Sequence, residues 1–307
     1  SAGRTPVRTP CGGRAADVVE RPPQVVRTGL LPAQPRDRRL APVRDGDVRR
    51  RLACHEPVDQ LLLVVAHYRD GPPTGRELRE RTDIPDREVE EFIDAMQADI
   101  DTDRYETRED LAGYTRGSAA AVGHMMTAIM EPDDPDAAHP HAGTLGEAFQ
   151  LTNFIRDVRE DIRDLDRVYL PLETLETHGV GVETVRSCDP TPEFRAAVRA
   201  ELLRTESKYR EGVAGIEYLP EDCQFAVLLA AVLYAEHHRL VRGQNFDVLT
   251  QRPSLSRRRK LWTVTKPWGH WRRRRDPVSV FRRVSAVPTG DGETPGADEG
   301  PHVPHPE

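Results

Sequence analysis

An all-α fold is what this 307-residue chain predicts, on three observations. Apolar residues recur at three- and four-residue steps over 86–99, 107–130, 143–165, 191–216 and 221–243. No alternating apolar–polar run argues for a strand, and no internal repeat divides the chain. A chain of this length can also bury a substantial core as a single domain.

The segments justify themselves in order. The 86–99 helix carries Phe92-Ile-Asp94-Ala-Met96 and Asp99, with Arg104-Tyr105-Glu106 behind it. In the second, Tyr114 precedes Gly117-Ser-Ala-Ala-Ala-Val-Gly123, whose small side chains admit either a neighbouring helix or an apolar ligand chain close to the backbone. Pro132, Pro135 and Pro140 are read as the loop that follows. The 221–243 segment carries Tyr234 and His237-His238, the latter expected to be a solvent-facing or capping pair. Its longest uncharged run, Cys223 to Ala235, is too short to span a bilayer.

The 143–165 segment is the most informative. Leu151, Phe154, Ile155, Val158 and Ile162 form one buried stripe, and Asn153, Asp157 and Asp161 lie four apart on another face. Such an oxygen column suits Mg²⁺, with Mn²⁺ as a substitute, and the ion's remaining positions suit phosphate oxygens. The interleaved Arg156, Arg159, Glu160, Arg163 and Asp164 leave open a plainer reading, a solvated ion-paired face.

Charge narrows the function classes. With 51 acidic residues against 44 basic ones the net charge is −7, which argues against nucleic acid as a partner. Cys11, Cys54, Cys188 and Cys223 show no metal-ligand spacing, so a reduced, cytoplasmic compartment is expected. All three tryptophans fall within Trp262–Trp271, followed by Arg272-Arg-Arg-Arg275. That clustering is either a membrane-surface dock on anionic lipid, giving peripheral association, or a helix whose rings pack while its arginines are solvated.

The string Gln150-x-x-Asn153-x-x-Arg156-Asp157-x-x-Glu160-Asp161, followed by Arg167-x-Tyr169-Leu-Pro171, resembles the second aspartate-rich motif of the squalene and phytoene synthase family. The resemblance covers roughly residues 80 to 285, with Tyr218-Leu-Pro220 and Arg257-Arg-Arg-Lys260 as weaker matches. It implies an isoprenoid-synthase-like helical domain around a central cavity, over 56–285. Residues 1–55 are expected to be irregular and 286–307 to be a disordered acidic tail. By resemblance and spacing, Asn153, Asp157 and Asp161 are metal ligands. By resemblance, Gln150 and Arg156 contact diphosphate, Tyr114 and Tyr234 steady cations or orient diphosphate, and Arg167 and Tyr169 close the catalytic site, with core tyrosines as the alternative for Tyr114 and Tyr234.

The implied reaction is Mg²⁺-dependent head-to-head condensation of two prenyl diphosphates. The first choice is two geranylgeranyl diphosphates giving phytoene through prephytoene diphosphate, as in carotenoid biosynthesis. Farnesyl diphosphate, as in squalene or dehydrosqualene synthesis, is the second choice, and an inactive relic is the third. The relic reading arises in the first 50 residues, which hold eleven arginines, seven prolines and no aromatic. The family's first aspartate-rich motif is not evident there. Asp17 and Glu20 are its only candidates, so poor turnover is expected.

Overall fold

The structure is a computed structural model and describes residues 83–289, which lie in one compact unit. Every regular element among them is helical, the sole β pairing being an isolated bridge between Arg104 and Val168. The expectations for residues 1–55, including Asp17, Glu20 and the first motif, lie outside the described residues.

Helix α1 spans Asp86–Asp101. Helix α2, Arg108–Thr115, opens with a reciprocal cap in which the Thr107 Oγ1 accepts from Asp110 N and Asp110 Oδ2 accepts from Thr107 N. It runs through a π-helical turn, Arg116–Ala120, into α3, Ala121–Met130. The predicted 107–130 helix is therefore real and is widened once, at its small residues. These serve helix packing: a Cβ on Gly117 would lie 2.6 Å from the Glu91 carbonyl of α1, and one on Gly123 would overlap the Ala142 carbonyl.

The predicted loop after α3 is shorter than expected. Glu131 leaves α3 in the left-handed region at φ 52°, and Asp134 already caps α4, Pro135–Arg156, accepting from Ala137 N at 3.0 Å. Pro135 occupies the first turn, where no amide donor is needed. Pro140 lies inside the helix and removes one donor, a loss that the packing of α4 overrides. Helix α4 is the hub, against which α3, the π-turn, α8 and α9 all pack.

Asp157, at φ −102° and ψ 10°, separates α4 from α5, Val158–Asp164. The ladder nonetheless continues across it, through Asp157 N to Asn153 O at 2.8 Å and Asp161 N to Asp157 O at 2.9 Å. Short helices α6, Leu172–Thr177, and α7, Val182–Arg186, lead to α8, Pro192–Ala214, which a 3₁₀ turn, Gly215–Tyr218, extends. Helix α9 spans Glu221–Gly243, α10 Arg257–Trp271 and α11 Pro277–Val284.

Of the expected tail, residues 286–289 are described and 290–307 lie outside the described residues. Ala286 and Val287 are buried, and Arg242 donates to Ala286 O and Arg210 to Pro288 O, each at 3.2 Å. Cys188 and Cys223 are buried.

Candidate active site

Helices α4 and α5 place the predicted ligands where spacing puts them. Asn153, the last but three of α4, is buried, and its Oδ1 accepts no hydrogen bond. Such an orphaned acceptor is unfavourable unless something electropositive meets it. One turn on, the Asp157 carboxylate accepts from Arg156 Nε at 2.8 Å and from Arg252, whose terminal nitrogen is 3.0 Å away. Another turn on, burial first and then the negative charges of Asp157 and Glu160 push the Asp161 carboxyl up to about 7. Glu160 Oε2 is also buried without a partner.

This donor set fits Mg²⁺. It is made of hard oxygens, one of them orphaned, among carboxylates whose mutual repulsion a cation relieves. Among the described residues no three His, Cys, Asp or Glu side chains gather to hold a metal by themselves. The column therefore supplies one wall of a site, completed by the Asn153 amide, by substrate oxygens and by whatever faces it. Arg156, expected at a diphosphate, spends its guanidinium fork on Asp157 here.

A second group gathers beside the column. The segments 103–106 and 168–173 are zipped together by Val168 N to Asp103 O at 3.0 Å, Leu172 N to Tyr105 O at 2.9 Å and Glu173 N to Glu106 O at 3.0 Å. This brings Tyr105 and Tyr169 alongside Tyr114 of α2 and Phe154 of α4. Phe154 and Tyr169 stack at 4.1 Å between centroids, Tyr105 and Tyr114 at 5.3 Å, and Tyr114 and Tyr169 at 6.2 Å. Such pairs each add roughly 0.5–1.5 kcal/mol beyond their burial.

Asp99, at the end of α1, anchors the group. It accepts from Tyr169 Oη at 3.0 Å and from Arg167 at 2.7 Å, and Arg167 also donates to Tyr169 Oη at 3.2 Å. Burial, followed by the Asp99 charge, raises the hydroxyls of Tyr105, Tyr114 and Tyr169 well above the ordinary phenol value, so all three stay protonated. The structure thus brings Tyr114, Arg167 and Tyr169 together and adds Asp99 and Tyr105, to which the sequence assigned no role. Gln150 is half-buried on α4. Tyr234 sits apart from the tyrosine cluster on α9, stacked on Phe149 at 4.5 Å.

A family model described as squalene/phytoene synthase matches residues 33–259. The chain belongs to the squalene/phytoene synthase family. The match reaches back well ahead of residue 80, where the sequence resemblance begins. Among similar proteins, a phytoene synthase of Thermus thermophilus is 37% identical over 183 residues, which are 60% of this chain and 61% of that one. A phytoene synthase of Rhodobacter capsulatus is 31% identical over 186 residues, 60% of this chain and 54% of that one. The chain thus spans about three fifths or less of the length of these curated relatives. A crystal structure of a dehydrosqualene synthase in complex with ligand superposes at TM-score 0.60 with 24% identity, covering 75% of this chain and 80% of that one, a likeness of fold.

Behind the column this family member keeps a buried polar chain that the sequence did not reveal. His238, expected at the surface, is 1% exposed: its Nε2 meets Thr152 Oγ1 at 2.9 Å and its Nδ1 meets Glu206 Oε1 at 3.2 Å. Tyr209 Oη also lies 2.9 Å from Thr152 Oγ1, and Arg242 binds Glu206 from the other side. The partners sit on α4 and α8, so no pattern local to α9 announces them. His237 is half-buried, with Nδ1 3.1 Å from Tyr234 O.

Burial, reinforced for His237 by the Arg156 charge, holds both imidazoles neutral, that of His237 down to about 4. A histidine whose folded value lies below its unfolded value of about 6.5 contributes stability that is complete above that value and lost as pH falls through the folded one. The melting temperature is therefore expected to drop between about pH 6.5 and pH 4. The His237→Gln variant should show a shallower drop, and an identical slope in the variant would remove His237 from the account.

Proposed function

We propose that the chain is a prenyltransferase that joins two prenyl diphosphates head to head, with geranylgeranyl diphosphate as substrate and phytoene as product. The reading rests on one observation above all: the Asn153–Asp157–Asp161 column, with its orphaned amide oxygen and crowded carboxylates, beside a wall of protonated tyrosines. Mg²⁺ held at the column would neutralise the charge that builds on the departing diphosphate.

The chain's own residues account for the rest. Asp157 and Asp161 supply the negative charge that keeps cations at the mouth of the site. The Arg156 fork, released from Asp157, fits phosphate oxygens in a bidentate manner, and Gln150, nearly two turns earlier, adds an amide donor. Leu151, Phe154, Tyr114 and Tyr169 form an apolar wall that keeps water from an allylic cation, and neutral ring faces favour that charge. Arg167, pinned by Asp99 and Tyr169, holds the wall in place. Tyr234 is placed to bound the prenyl chain on the Phe149 side.

A lipid substrate and product also favour docking at a membrane surface through Trp262–Arg275. No helix among the described residues is long and apolar enough to cross a membrane. Trp262 and Trp268 are exposed with cations over their rings, Arg259 and Lys266 on the first and Arg272 on the second. Trp271 instead packs near Phe225.

The test of the reaction is product identity. Incubation with Mg²⁺ and geranylgeranyl diphosphate alone should yield phytoene, and farnesyl diphosphate, with or without a nicotinamide reductant, should yield little hydrocarbon. Efficient conversion of farnesyl diphosphate would move the assignment to squalene or dehydrosqualene synthesis. No hydrocarbon from either would favour a relic.

A further inference from the structure

Between Arg257 and Arg283 the chain carries eleven basic residues against one acid, in a protein whose net charge is −7. The excess is focused by folding. The C-terminal turn of α10 and the outer face of α11 enclose a cleft of about 630 Å³ lined by His270, Arg273, Arg274, Ser279, Arg282 and Arg283. Two neighbouring arginines do answer acids: Arg259 meets buried Glu236 and Arg275 meets Glu221. Among the described residues no carboxylate forms an ion pair with the four cleft arginines, and all four are exposed. Asp276, between α10 and α11, feels the Arg274 charge but turns its oxygens to Ser279, accepting from the amide at 3.1 Å and the hydroxyl at 2.6 Å. His270 lies in the same field: burial and then the charges of Arg283, Lys266 and Arg273 hold its imidazole below the usual histidine value.

Four guanidiniums facing one cleft without counter-charge repel one another, and a phosphate group that accepts several of their forks relieves the repulsion. Position argues for its source. Trp268, 52% exposed, and Leu261, 66% exposed, project from the same helix, so an apolar edge and a cationic cleft are presented together.

We propose that this cleft is a seat for the terminal phosphate of an anionic lipid headgroup, gripped by Arg273, Arg274, Arg282 and Arg283 while Trp268 enters the bilayer interface. The proposal rests on the membrane-docking reading above and gives it a specific anchor distinct from general charge.

Co-sedimentation of the whole chain with vesicles tests it. The vesicles are phosphatidylcholine carrying either phosphatidic acid or phosphatidylglycerol, matched for total charge. The double variant R282S/R283S removes two cleft charges, and R258S/K260S removes two exposed charges of α10 outside the cleft; none of these residues belongs to the proposed catalytic machinery. Partition of the unmodified chain should favour phosphatidic acid. R282S/R283S should lower that partition about tenfold or more, against about threefold or less for R258S/K260S. Equal binding to both vesicles, or equal losses in the two variants, would overturn the cleft and leave diffuse docking standing. Failure of the unmodified chain to bind either vesicle would overturn both.

Discussion

Replacing Asp157 with Asn is expected to lower turnover by about a thousandfold or more with the helical fold intact. The carboxylate is the middle rung of the oxygen column, between the orphaned Asn153 amide and the elevated Asp161 carboxyl. Asn keeps the shape and deletes the charge that would hold Mg²⁺. The fold should tolerate the change because the backbone bonds across the α4–α5 junction use main-chain atoms alone. Product formation relative to the unmodified chain, alongside far-ultraviolet circular dichroism, checks both halves. Undiminished product formation would remove Asp157 from the chemistry.

The second large effect concerns stability. Arg242→Ala is expected to lower the unfolding free energy by about 3–5 kcal/mol. Glu206 is 1% exposed and its charge is answered by Arg242 on one side and neutral His238 on the other. Removing Arg242 strands a buried carboxylate, and also deletes the bond to Ala286 O that fastens the end of α11. Neutralising the stranded group, as in Arg242→Ala combined with Glu206→Gln, should recover part of the loss, so the pair is non-additive. Urea titration measures all the variants, and a loss below about 1 kcal/mol for Arg242→Ala would mean that water reaches Glu206.

The parts of this molecule that could be read in advance are those whose cause is local. The 3.6-residue stripe on Leu151, Phe154, Ile155, Val158 and Ile162 fixes both a helix and the face on which Asn153, Asp157 and Asp161 fall, and the structure keeps that column despite the displaced dihedrals of Asp157. Asp134-Pro135 is a helix start signal read as loop, because Pro140 five residues on looked like a second breaker. Contacts across the chain left no such trace. Asp99 acquires its role from Arg167 and Tyr169, 68 and 70 residues away, and His238 is buried by groups on two other helices. Neither is deducible from the spacing of its own helix.

The ring cluster of Phe154, Tyr169, Tyr114 and Tyr105 constrains how the candidate site could be re-engineered. Each ring touches at least two of the others, and one hydroxyl is moored to Asp99. Trimming one ring to enlarge the site would let its neighbours lean into the space, so the gain in room would be smaller than the volume removed. Redesign of the site's size must therefore change rings in concert, or act from the Phe149–Tyr234 side, where a single stacked pair stands apart from the moored cluster.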